Sequence, residues 1–212
     1  MKKNEWWRQS AVAGEDRPYA VSEEDSLRAN VYVLLAQLLA RPPKADLLKQ
    51  VGGLRGDDTE FGEAIRVLAR TARSTSAESA AREHFNLFVG VGDSELKPYA
   101  SYYLTGFLNE KPLAKLRGDM ERLGIARAEG ISESEDHVAA LCEMMAGLIN
   151  GVFGEPASLS EQRNFFNNHI GCWAPRFFED LEAARTASFY MPVGTIGGLF
   201  MAVENEAFDM AA

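Results

Sequence analysis

The sequence predicts an all-α protein of about eight to ten helices. Apolar residues recur at i, i+3 and i+4 in one segment after another, and clusters of Gly, Pro and Ser punctuate those segments. No alternating polar–apolar pattern of useful strand length and no internal repeat interrupts the series. The chain reads as a polar N-terminal tail, residues 1–21, followed by one helical domain, residues 22–212.

Gly14 and Pro18 break the tail, whose adjacent Trp6 and Trp7 suit packing on the body or onto a partner. Ser22 opens the first helix, with Glu23, Glu24 and Asp25 in its first turn and Leu27, Val31, Leu34, Leu35 and Leu38 on one face. Arg41-Pro42-Pro43 ends it. Helices follow at Ala45–Val51, closed by Gly52-Gly53, and at Thr59–Arg73, with Phe61, Ile65 and Leu68 facing inward. The next, Ala77–Phe88, is anchored by Phe85 and Phe88 and gives way to the Gly-rich loop Val89–Pro98. Tyr99–Leu108 is aromatic and fits either a helix or an extended segment. Pro112 opens a helix carrying Leu113, Leu116, Met120 and Leu123 to a stop at Gly124. An acidic linker then leads to Ser132–Phe153, where Ser132 and Glu135 have capping-box spacing. Its apolar stripe is Val138, Leu141, Met145, Leu148 and Val152. Ser158 and Glu161 repeat the box ahead of Phe165, Phe166 and His169, and Gly171 closes that helix. Pro175 starts a helix with core residues Phe177, Phe178 and Leu181, and Pro192 starts the last, with Ile196, Leu199 and Val203.

Composition bounds the function without naming it. A chain of 212 residues buries roughly 70% of its unfolded surface, so neither a disulfide nor a metal is needed to hold it. A net charge of -9, with no basic stripe, argues against a nucleic-acid binder and suits either a cationic partner or a solubilising surface. Cys142 and Cys172 lie far apart in helical segments, which excludes a CxxC motif and points to buried thiols in a reducing compartment. The start of the chain lacks the apolar core of a secretory signal, and no run reaches the roughly 20 apolar residues of a membrane span. The expected location is cytoplasmic, without stable membrane insertion.

Catalytic motifs fail one by one. The positions three before His84, His137 and His169 are Ala81, Ser134 and Phe166, so the Glu-x-x-His pairs of a di-iron bundle are missing. Zinc-protease, nucleophile-elbow and phosphate-loop motifs are also missing, and Gly90-Val91-Gly92 has Glu95 where a dinucleotide fingerprint needs its third glycine. The remaining suggestive pair is Asp136-His137, which serves either as a structural cap or as a contact for a ligand or partner. No enzyme activity and no resident cofactor are expected.

Three segments then act together. They are Glu83-His84-Phe85-Asn86-Leu87-Phe88 with its glycine loop and Pro98-Tyr99-Ala100-Ser101-Tyr102-Tyr103-Leu104; Glu133-Ser134-Glu135-Asp136-His137; and His169-Ile170-Gly171-Cys172-Trp173-Ala174-Pro175-Arg176-Phe177. In order and spacing they resemble the TorD/DmsD (NarJ-like) family of cytoplasmic redox-enzyme maturation chaperones. Ser134 stands where that family often has proline.

The resemblance implies an all-helical, TorD-like, non-catalytic chaperone that assists a molybdoenzyme before twin-arginine export. Its implied partners are a twin-arginine signal peptide and the catalytic subunit of a molybdoenzyme, of the formate dehydrogenase or dimethyl-sulfoxide-reductase type. It implies a monomer or homodimer, and transient binding of guanine nucleotide or molybdopterin cofactor is an alternative role, as is a generic helical interaction domain. An arginine pair followed by an apolar run calls for carboxylates beside an apolar groove. On this resemblance Glu133, Asp136 and His137 meet the polar end, while Tyr99, Ser101, Tyr102 and Tyr103 border the apolar part. Phe88, His169, Trp173 and Pro175 are supports. The tyrosines also fit plain packing, and Ser101 also fits a bond within its own loop.

Overall fold

The computed structural model describes residues 7–9, 21–91, 93–128, 130 and 132–210. The all-α expectation is met: the described residues form ten α-helices, one π-helical turn and a two-stranded ribbon. They fall into two compact units, Met1–Ala36 with Tyr99–Cys172, and Gln37–Pro98 with Trp173–Ala212.

The first unit holds most of α1 (Glu23–Ala40), with α5 (Ala100–Thr105), α6 (Lys111–Arg122), α7 (Val138–Asn150) and α8 (Leu159–His169). Ser22 caps α1 as expected, its hydroxyl accepting from the Asp25 N–H at 3.0 Å. The buried face of α1 is Ala29, Tyr32, Leu35, Ala36, Leu38 and Leu39, and Leu27 is exposed, against expectation, because that face begins at Ala29, two residues on and about 200° around the helix. Pro112 sits in the first turn of α6, where its missing N–H costs no hydrogen bond, and Leu113, Leu116 and Met120 are buried. Every residue of α7 except Glu143 and Asn150 is buried, so this helix is apolar around nearly its whole circumference. Gly151, in the left-handed conformation at φ 70°, ends it, which leaves Val152 outside the helix and exposed rather than in the stripe. The Ser158–Glu161 capping box is present on α8, and Ile170, one residue ahead of the expected Gly171, closes that helix.

Strand β1 (Trp7–Gln9) pairs antiparallel with β2 (Ile125–Arg127), Arg8 opposite Ala126. A short ribbon therefore replaces part of the expected loose tail and acidic linker. The rest of the tail, including Trp6, and the packing of the Trp7 side chain lie outside the described residues.

The second unit contains α2 (Ala45–Gly52), α3 (Glu60–Ser74), α4 (Ala77–His84), α9 (Ala174–Glu182) and α10 (Met191–Met210). Helix α10 packs on both α3 and α9. Phe177, Phe178, Leu181 and Ile196 are buried as expected, whereas Val203 is exposed and Val193, Phe200 and Met201 fill the α10 core positions. Helix α4 does not run on to Phe88. A π-helical turn, Phe85–Val89, closes with the Gly90 N–H on the Phe85 carbonyl at 2.7 Å. The wider turn rotates the side chains, so Leu87 is buried, Phe85 is exposed and Phe88 is half-buried.

Among the described residues, no helix is long and apolar enough to cross a membrane, and no group of His, Cys, Asp and Glu is placed to hold a metal ion. The cysteines are free thiols, Cys142 buried but Cys172 exposed, so only the first matches the expected burial.

Candidate functional site

The residues singled out between Tyr99 and His137 converge in the first unit, where Tyr99 pairs with His137 in an isolated antiparallel bridge. The Ala100 N–H donates to the Asp136 carbonyl at 3.0 Å. Asp136 is almost completely buried at 1% exposure, and its carboxylate gathers three donors. The Ser101 N–H donates to Oδ2 at 2.8 Å, the Ser101 hydroxyl donates to the same oxygen, and the Ser134 hydroxyl donates to Oδ1 at 2.6 Å.

The local reason lies in α5. Its N-cap residue is Tyr99, whose side chain makes no capping bond, so the free N–H groups of the first turn need an acceptor from elsewhere. Asp136 supplies it across the chain, doing for α5 what an N-cap aspartate does locally.

His137 has a comparable structural task. The expected capping box at Ser132 and Glu135 does not form, and residues 132–136 are turn and loop. Helix α7 instead starts after His137, whose Nδ1 accepts from the Ala139 N–H at 3.1 Å. Accepting at Nδ1 places the ring proton on Nε2 in the neutral imidazole. The Tyr99 ring stands edge-on to the His137 ring at 5.2 Å. Asp136 and His137, expected to meet the polar end of a peptide, are both buried, and their side chains serve the turn.

Glu135 does not cap because two arginines claim it. Arg117 Nη2 lies 2.8 Å from Oε2 and Arg127 Nη1 3.5 Å from Oε1, while Arg127 Nη2 also donates to the Glu133 carbonyl at 2.9 Å. Burial opposes ionisation of Glu135, but the Arg117 hydrogen bond and the two guanidinium charges outweigh it and hold the carboxyl below its ordinary range.

The parts that reach solvent are different ones. Tyr99, half-buried, donates its hydroxyl to Glu133 Oε1 at 2.6 Å. Burial and then the Glu133 carboxylate push that phenol well above its ordinary value, so it remains a donor. Tyr102 and Tyr103 are half-buried and edge-on to each other at 6.2 Å. Beyond them Leu104, Phe107 and Leu108 are exposed, Phe107 at 70%, around the left-handed Gly106 and Asn109. Sequence reasoning passed over this apolar trio and the Arg117–Glu135–Arg127 cluster. The trio's signal was three large apolar residues in a short segment interrupted by Gly106 and followed by Asn109, too short to bury them.

The four supporting residues are built into their own units. His169 in the first unit is buried and bonds Asp119 through Nε2 at 2.7 Å; burial lowers its pKa more than the carboxylate raises it. In the second unit Phe88 packs edge-on against His84 and Tyr190 at 5.0 and 5.4 Å. Trp173 is buried beside Phe177 at 5.9 Å, and Pro175 occupies the first turn of α9.

A family model described as nitrate reductase delta subunit matches residues 54–179. The chain is 26% identical over 196 residues to the chaperone protein TorD of Aliivibrio salmonicida, covering 89% of this chain and 85% of the relative. It is 30% identical over 147 residues to the chaperone protein TorD of Salmonella bongori, covering 68% and 65%. A crystal structure from Archaeoglobus fulgidus, assigned as a redox enzyme maturation protein, superposes with a TM-score of 0.56 at 19% identity over 89% of this chain and 99% of its own, a likeness of fold.

Proposed function

Since this chain belongs to the nitrate reductase delta subunit family, we propose that it is a cytoplasmic maturation chaperone that binds the twin-arginine signal peptide of a molybdoenzyme catalytic subunit. The named relatives are chaperones, and the reading gives this chain a binding task rather than a catalytic one. The client is a formate dehydrogenase or dimethyl-sulfoxide-reductase-type enzyme.

The observation that carries the reading is the join between α5 and the acidic turn. The bonds of Ser101 to Asp136 and of Tyr99 to Glu133 fix an aromatic helix against a carboxylate-bearing turn. That helix then leads into exposed Leu104, Phe107 and Leu108. A basic pair followed by an apolar stretch needs this pairing of carboxylate and unpartnered apolar surface. Glu133, Tyr99, Tyr102 and Tyr103 make contact, and Ser101, Asp136 and His137 hold the contacting pieces in place.

Titration calorimetry of the full chain with a peptide bearing an arginine pair and an apolar run tests this. Saturable binding that disappears when both arginines are replaced by glutamine is expected. No binding, or binding indifferent to the arginines, overturns it. Co-purification of a molybdoenzyme catalytic subunit, dependent on its signal peptide, identifies the client.

A further inference from the structure

We propose that Arg117 is a built-in competitor at this site, a guanidinium that occupies Glu135 until an arginine of a bound basic peptide displaces it. The inference rests on the peptide-binding reading above and adds a carboxylate and an exchange to it.

The three carboxylates of the turn are not equivalent. Asp136 is sealed, with three donors from Ser101 and Ser134, and opening it would uncap α5. Glu133 accepts from Tyr99 and from the Ser134 N–H at 3.2 Å. Glu135 alone among them is held by guanidinium groups, one on each oxygen. The chain thus already shows an arginine seated on Glu135.

The two arginines differ in how firmly they are held. Arg127 is 32% exposed and has a second bond, to the Glu133 carbonyl. Arg117 is 55% exposed and reaches Glu135 from α6 by a single nitrogen. Glu135 is buried, at 8% exposure, so its carboxylate has to stay paired, but Arg117 reaches it from the solvent side, so one guanidinium can exchange for another there. Once Arg117 swings outward, Glu135 Oε2 is free on the side from which the arginine came, while Arg127 still holds Oε1. An arriving guanidinium restores the same charge balance, because one cation replaces another on the same carboxylate. Before and after the exchange the buried carboxylate has a cation at each oxygen.

The same contact sets selectivity. A ligand without a guanidinium has to leave Arg117 in place and gains nothing at Glu135. Competition also weakens every arginine ligand by the cost of removing Arg117, which favours release of the peptide when another receptor takes it.

The experiment compares wild type, Arg117→Ala and Arg122→Ala in titrations with the arginine-pair peptide and its glutamine counterpart. Arg122 lies on the same helix, is similarly exposed and pairs with Asp119, so its removal changes the net charge equally without touching Glu135. Arg117→Ala is expected to bind the arginine peptide about two- to five-fold tighter than either other protein, and the glutamine peptide no better. Thermal unfolding checks that all three are folded, since Arg117→Ala leaves the buried Glu135 carboxylate with the Arg127 contact at 3.5 Å. Equal affinity in the Arg117→Ala and Arg122→Ala proteins, or weaker binding by Arg117→Ala, overturns the exchange while leaving the peptide-binding reading intact. Failure of every protein, wild type included, to bind the arginine peptide removes both.

Discussion

Ser101 and Asp136, thirty-five residues apart in sequence, are joined twice at one carboxylate oxygen, by the Ser101 backbone N–H and by its hydroxyl. A residue pair of this kind converts an acidic turn into the missing cap of a short aromatic helix, and everything proposed for the site depends on it.

Replacing Asp136 by alanine strands the Ser101 N–H at 0% exposure for that residue, together with two hydroxyls. The expected loss is about 1–3 kcal/mol in urea unfolding, with Ser101→Ala at the lower end because the backbone bond survives. Equal stability of Asp136→Ala and wild type contradicts the capping role. Weak peptide binding by an Asp136 variant therefore has to be compared with its stability before it is taken as lost contact.

Phe107 behaves in the opposite way. Its side chain is largely in solvent, so Phe107→Asp is expected to shift stability by no more than about 0.5 kcal/mol. Peptide affinity is expected to fall about tenfold, since a charge replaces an apolar anchor. Unchanged affinity in calorimetry removes the apolar trio from the site.

His84 and His169 both titrate below their ordinary 6.5, in each case because burial disfavours the charged ring; the bonds to the Leu39 carbonyl and to Asp119 oppose that only in part. The unfolded chain then takes up protons before the folded one, so stability is full above about pH 6.5 and declines as pH falls below it toward the folded values. Glu135 and Asp119, held below their ordinary 4.5 and 3.8, lose their contribution only at lower pH, so the two regions separate. Urea midpoints at about pH 7.5 and about pH 5.5 are expected to differ, and by less in His169→Gln. An equal drop in the variant contradicts this assignment.

The close approach of α9 and α10 gives a test in the second unit. A Cβ on Gly194 would meet the backbone nitrogen and Cα of Glu182, neither of which can move alone. Gly194→Ala is expected to cost about 1–3 kcal/mol by overpacking, despite alanine's better helix propensity. A stabilised variant contradicts the packing.

Two capping boxes with the same spacing show how far the sequence could be read. Ser158–Glu161 forms as expected, the Glu161 carboxylate accepting from both the Ser158 N–H and the Ser158 hydroxyl, and the helix beyond it buries Phe165, Phe166 and His169. Ser132–Glu135 does not form, because Arg117 and Arg127 take Glu135 and His137 becomes the cap. Local spacing cannot register a competitor eighteen residues away on another helix. Helical periodicity located α7 through Leu148, yet not the left-handed Gly151 that releases Val152. The π-helical turn at Phe85 has the same effect on Phe88: one additional residue in a turn changes which side chains face inward. The motif pairing of Tyr99–Tyr103 with Glu133–His137 was legible as resemblance, and the structure brings those residues together. Which of them reach solvent was not legible, because that depends on Asp136 being consumed as a cap.

Hydrogen exchange of the full chain, with and without the arginine-pair peptide, tests the central claim most directly. The account predicts slowed exchange in residues 99–109 and 132–137 on peptide addition, with α9 and α10 unchanged. Protection confined to the second unit, or none in these two segments under saturating peptide, would contradict it.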